Sequence, residues 1–176
     1  MNIIIFSSID WNFNWQLPQQ LAKYLSDQGN NVIFINNTGS RSIKFNDLIR
    51  LKNKFLKTNY KKEKNLKILN PFFIPFHNSS IIDYINTSLF INLINKNFKE
   101  KIKDKNNIII FFLSIKLIYK ISNKLLNTKL IYYLADELEF QHRYRLNINL
   151  INFQKLFMEN ANCVICTSNN LYHKYK

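Results

Sequence analysis

The chain has 176 residues, 47% of them hydrophobic and 15% aromatic, and its 25 Lys and Arg against 11 Asp and Glu give a formal charge of +14. That is one domain's length and too much apolar side chain for a disordered segment, which stays unfolded for want of surface to bury. The densest apolar run, residues 108–115, is eight long and contains Ser114, well short of the roughly 18 residues a membrane-spanning helix needs.

No basic stretch precedes the first apolar run, and that run ends at Ser7, Ser8 and Asp10. The expectation is a cytoplasmic protein without a signal peptide. Asn2–Phe6 reads as a buried strand. Leu17, Leu21 and Leu25 then recur every four residues, Pro18 suits a helix's first turn, and Gly29 stands where a helix end takes a left-handed residue. Asn31–Ile35 is a second strand, so the first 35 residues predict a βαβ unit with parallel strands.

Leu66–Leu69 reads as a third strand before Pro71. Ile81, Ile82, Ile85, Leu89, Leu93 and Ile94 mark one face of a long helix that Asn78 or Ser79 would cap. A strand is expected within residues 107–113, a helix over 115–126, a strand over 129–134, a helix over 147–160 and a strand over 162–166. Thr167, Ser168 and Asn169 suit the cap of a further helix. Six strands apolar on both faces, alternating with helices, predict an α/β fold with a doubly wound, mostly parallel sheet.

With two glycines in the whole chain, the Gly-x-Gly-x-x-Gly phosphate loop is absent after the first strand, which disfavours a dinucleotide-binding oxidoreductase. His77, His142 and His173 have no partners at metal-ligand spacing, so no metal is expected. Cys163 and Cys166 match a metal or redox spacing, but with no second pair and apolar residues between them they read as packing in a buried strand.

Ligands of open α/β sheets bind beyond the carboxyl ends of the strands. The loop after the first strand gathers Ser8, Asp10, Trp11, Trp15 and Gln16, which include both tryptophans of the chain. Rings together with amides and a carboxylate suit a sugar, whose C–H faces stack while its hydroxyls take hydrogen bonds. The same residues also suit a loop whose tryptophans cover the core and whose Asp or Ser caps the next helix. After the second strand come Asn37, Thr38, Gly39 and Arg41, with a turn glycine and a guanidinium for a phosphate or carboxylate. After the fifth come Asp136 and Glu137, able to orient hydroxyls, to act as a base, or to sit at a helix N-terminus.

Ten Lys or Arg against Asp47 and Glu63 fall within residues 41–67, which is +8 of the +14. Leu48, Leu51 and Phe55 share a helical face there, among Arg50, Lys52, Lys54 and Lys57. The pattern fits a basic amphipathic helix on an anionic membrane surface, and somewhat better a solvated helix packed on the sheet; the two are not exclusive. Lys outnumbers Arg by 21 to 4, a bias that AT-rich coding produces by itself, and it weakens nucleic acid as the partner implied by the charge.

Four motifs, in order, resemble the N-terminal half of bacterial two-domain GT-B glycosyltransferases: Ser7-Ser8-Ile9-Asp10-Trp11 with Trp15-Gln16, then Asn37-Thr38-Gly39-Ser40-Arg41, then Tyr132-Tyr133 with Asp136-Glu137, then Ala161-Asn162 with Thr167-Ser168. The family usually has an acid where this chain has Asn36, an Arg and a His in the segment of Leu17 and Gln19, and often Asp where Glu137 stands. The resemblance implies a Rossmann-like acceptor-side domain spanning residues 1–176, incomplete at its C-terminus. The nucleotide-sugar donor would bind a C-terminal domain outside these residues, and no cofactor is implied.

On that resemblance, Ser8, Asp10, Trp11, Trp15, Gln16, Asn37, Thr38, Gly39 and Arg41 would bind the acceptor, a cell-surface glycan or lipid-linked sugar. Asp136 and Glu137 would be the catalytic groups, and Thr167 and Ser168 would line the same cleft. The chain alone is expected to be inactive, and to sit at the inner membrane face through residues 41–67. The alternative is a non-catalytic glycan-binding module, or one subunit of a split enzyme paired with a separate donor-binding domain.

Overall fold

The computed structural model describes residues 1–37, 64–71, 80–97, 107–114, 116–125, 128–135 and 148–176. Its strands are β1 (Asn2–Phe6), β2 (Asn31–Ile35), β3 (Leu66–Leu69), β4 (Asn107–Phe111), β5 (Thr128–Leu134) and β6 (Cys163–Cys166). The helices are α1 (Leu17–Asp27), α2 (Ser80–Asn97), α3 (Lys116–Ser122), α4 (Ile148–Asn160) and α5 (Asn169–Tyr175). All six strands are parallel, in the order β3-β2-β1-β4-β5-β6. The α/β doubly wound fold expected from the alternation of strands and helices is the one present.

β1 and β4 are identical pentapeptides, Asn-Ile-Ile-Ile-Phe, paired residue for residue at the centre of the sheet. Asn31, Asn2 and Asn107 consequently align across three strands at the amino edge, and the Asn31 amide donates to Asn2 at 3.3 Å. A one-residue slip would move Asn2 or Asn107 out of this row and bring Phe6 or Phe111 to the opposite apolar layer.

Two apolar layers result. On one face Ile4, Phe6, Ile33, Ile109 and Phe111 pack with Phe90 and Ile94 of α2, Leu117 and Ile121 of α3, Phe157 of α4 and Leu171 of α5. On the other, Ile3, Ile5, Val32, Phe34 and Ile110 pack with Trp11 and with Ala22 of α1.

The structure resolves the faces of two helices and corrects the expectation for the two cysteines. The leucine stripe of α1 is not its buried line: Leu17 is exposed and Leu21 and Leu25 are half-buried, while Pro18, Gln19, Ala22 and Ser26 face inward. The small residues let the helix axis approach the sheet, and the leucines flank the contact. In α2 the buried line is Asp83, Asn86, Thr87, Phe90 and Ile94, whereas Ile81 is 72% exposed and Ile85 and Leu89 also face out. The polar residues are accepted inside because they are bonded: Thr87 donates to the Asp83 carbonyl at 2.6 Å, and Asp83 meets Lys116 and Lys120 at 2.7 and 2.9 Å. Finally, Cys163 is exposed and Cys166 only half-buried. They lie on an edge strand, three residues apart and so on opposite faces, which leaves neither a buried pair nor a shared site. The expected capping residues Asn78 and Ser79 lie outside the described residues.

Candidate functional site

From β1 the chain winds outward through β2 and β3, and from β4 it winds the other way through β5 and β6. The order reverses between β1 and β4, and the crevice of such a sheet opens there, beyond the carboxyl ends of the two strands. The loop after β1, residues 7–16, therefore stands at the switch point.

Hydrogen bonds define that loop's shape. The Ser7 hydroxyl accepts from Ile9 N–H at 3.1 Å, and Phe13 N–H donates to the Asp10 carbonyl at 3.0 Å. Gln19 is fully buried beneath: its amide NH2 donates to the carbonyls of Asp10 at 3.3 Å and Asn14 at 3.2 Å, and its oxygen accepts Gln16 N–H at 3.1 Å. That last bond makes Gln16 the N-cap residue of α1, in place of the Asp or Ser considered from the sequence. Asn36, at the end of β2, accepts Trp11 N–H at 2.7 Å, and its NH2 donates to the Asn70 side chain beyond β3. Asn37 donates to the Ser8 carbonyl at 2.7 Å. The ends of β1, β2 and β3 are thus tied together by three asparagines.

The two tryptophans have different fates. Trp11 is 7% exposed, edge-on to Phe34 with ring centroids 4.9 Å apart, and closes one apolar layer. Trp15 is 53% exposed and meets Trp11 edge to face at 5.3 Å. Trp11 covers the core, as one of the two sequence readings expects, and Trp15 presents a ring to solvent with Trp11 behind it.

Among the other expected site residues, Ser8 and Asp10 are half-buried, and Gln16 is exposed. Thr167 is exposed and donates to the Ala135 carbonyl at 2.6 Å, joining the ends of β6 and β5. Ser168 caps α5 by accepting Leu171 N–H at 3.2 Å. The structure thus brings Ser8, Asp10, Trp11, Trp15, Gln16 and Asn37 together, with Thr167 and Ser168 along the same edge beyond β5. Thr38, Gly39, Arg41, Asp136 and Glu137 lie outside the described residues, as does most of the basic segment 41–67.

On the α2 and α3 side, Asp83 is 1% exposed. Burial alone would raise its pKa, but the hydrogen bonds and charges of Lys116 and Lys120 outweigh it and hold the carboxyl below its usual value. The Tyr132 phenol is pushed up by burial, which the Ser114 hydroxyl, three residues beyond β4, opposes. No group of three or more His, Cys, Asp or Glu able to hold a metal exists among the described residues. A hollow of about 340 Å³ lined by Lys23, Asp27, Gly29 and Lys64 sits at the amino edge, opposite the switch point.

Gln19 and Asn36 organise this edge, yet neither was chosen as a site residue from the sequence. Asn36 carried a usable signal, being the first polar residue after a strand's apolar run. Gln19 carried none beyond its place three residues after Gln16, the capping-box spacing.

The fold and the switch-point loop define a doubly wound α/β domain with an aromatic and amide-rich carboxyl edge. Against family models, curated proteins and solved structures, the chain has no match.

Proposed function

We propose that this domain binds the acceptor for a glycosyltransferase that moves a sugar from a nucleotide-sugar to a cell-surface glycan or lipid-linked sugar. The observation that carries the reading is Trp15: an exposed ring at the switch point, braced by Trp11, with Asp10 and Gln16 in the same loop. Ring faces stack on sugar C–H groups, and amides and carboxylates take the hydroxyls.

Within this proposal Trp15 stacks on the acceptor, Trp11 and Gln19 hold the loop, and Ser8, Asp10, Gln16 and Asn37 offer polar groups. Thr38, Gly39 and Arg41 would meet an acidic or phosphorylated part of the acceptor, with Asp136 and Glu137 as catalytic groups; these assignments rest on the motifs alone. Residues 41–67 would keep the domain near an anionic membrane surface. Turnover needs a donor-binding domain as the opposite wall, because transfer requires groups from both sides to be positioned together.

Titration with envelope glycans and lipid-linked oligosaccharides, followed by fluorescence of a Trp11→Phe variant in which Trp15 is the sole reporter, tests the site. A saturable change absent from Trp15→Phe supports it; no response to any of these ligands refutes it.

A further inference from the structure

The β1–α1 loop carries a surface property that sugar binding does not account for. Phe13 is 58% exposed, Trp15 53% and Leu17 40%, at alternating positions of one short segment. From Trp11 to Ala22 the chain reads Trp-Asn-Phe-Asn-Trp-Gln-Leu-Pro-Gln-Gln-Leu-Ala, twelve residues without a charge in a protein whose charged residues make up 20% of the total. This exposure is built in: Trp15 rests on Trp11, Trp11 on Phe34, and Gln19 fixes the backbone from below. The exposed stripe of α2, by contrast, has nothing that shows what would cover it.

A neutral tip bearing aromatic and aliphatic side chains, on a chain of net charge +14, is complementary to one kind of surface. Trp and Phe favour the boundary between headgroups and acyl chains, where amides remain hydrated. An uncharged tip can enter that boundary without desolvating an ion, while the lysine excess is attracted to anionic headgroups. We propose that Phe13, Trp15 and Leu17 form an insertion tip by which this domain docks on an anionic bilayer. The inference deepens the membrane-surface part of the function proposed above and does not depend on sugar transfer.

The test uses the full chain, vesicles of phosphatidylcholine with or without half phosphatidylglycerol, and acyl-brominated versions of both. The expected result at low salt is a blue shift and quenching of Trp15 by brominated anionic vesicles. Partition onto phosphatidylcholine alone should be weaker by about tenfold. In Trp15→Phe the remaining Trp11 should respond little, and the difference between that variant and wild type isolates Trp15 even if Trp11→Phe fails to fold. Phe13→Ser/Trp15→Ser, which alters exposed side chains only, should keep the wild-type melting temperature and lose about tenfold in partition.

Binding of the double variant equal to wild type, or unquenched Trp15 on bound protein, would overturn the tip and leave attachment to the basic segment. Absence of binding to anionic vesicles would overturn it too. A saturable response of Trp15 to glycan in solution would then leave the acceptor site standing.

Discussion

Replacing Gln19 by Met keeps side-chain volume and removes three hydrogen bonds that hold residues 10–16 on the start of α1. A net hydrogen bond contributes about 1 kcal/mol, and a buried group left without a partner loses more. The two carbonyls and the Gln16 N–H belong to a loop that is partly exposed, so water recovers a share of the loss. The expected destabilisation is about 2 kcal/mol, a fall of roughly 4–8 °C in melting temperature for a chain of this size. Thermal unfolding followed by circular dichroism measures it, with the Trp15 emission maximum at 20 °C reporting whether the loop has loosened. Gln19→Glu should be worse at neutral pH, because a carboxylate would face the Asp10 and Asn14 carbonyls. Its folded pKa would lie above the unfolded value, so the deficit should shrink as pH falls and the acid regains a donor. A Gln19→Met variant that melts within about 1 °C of wild type, with unchanged Trp15 emission, would refute the role assigned to this side chain.

Other substitutions separate support from contact. Trp11→Ala should destabilise by about 3–5 kcal/mol through the cavity it leaves, whereas Trp15→Ala should change stability by well under 1 kcal/mol and abolish the ligand response; chemical denaturation and titration distinguish them. Asp83→Asn leaves Lys116 and Lys120 facing each other, and since both ammoniums can turn to water the cost should be about 1–2 kcal/mol in urea unfolding. Because the folded pKa of Asp83 lies below its unfolded value near 3.8, its contribution is present above that pH and fades as pH falls below it. Wild type and Asp83→Asn should therefore converge in stability under acid. Gly29→Ala places a side chain at φ of +82° with open space around its Cβ, so only backbone strain should appear, about 1 kcal/mol in the same unfolding assay.

Strand positions and their alternation with helices were legible because runs such as Asn2–Phe6 and Asn107–Phe111 are buried on both faces, and a run apolar throughout has no face to misassign. Helix faces were harder. In α2 apolar residues occur all round, so the expected face divides: Leu93 and Ile94 pack on the core, Ile81, Ile85 and Leu89 face out, and the rest of the contact runs through Asp83, Thr87 and Phe90. Hydrophobic spacing cannot reveal that a buried carboxylate will be met by Lys116 and Lys120, which lie 33 and 37 positions further along. The two tryptophans posed the same problem within one loop: composition singled out the loop, but only the contact with Phe34 assigns Trp11 to the core, while Trp15 stays exposed.

The positions at which the chain departs from the glycosyltransferase pattern proposed for it bear on the same loop. Asn36 stands where that pattern has an acid. A carboxylate could still accept the Trp11 N–H, but it could not donate to Asn70 as Asn36 does, and Asn70 would have to turn its own NH2 toward it to keep the link from β1 across β2 to β3. Gln19 lies in the segment that carries a basic residue in the pattern, and its amide both donates to two carbonyls and accepts from one N–H. An imidazolium or guanidinium there would offer donors only. In this chain the carboxyl edge is held by neutral amides, and the twelve residues from Trp11 to Ala22 remain without charge. In the proposed function, a lipid-carried sugar acceptor would be approached by an edge that presents an aromatic ring and amides first, with lysines supplying the longer-range attraction.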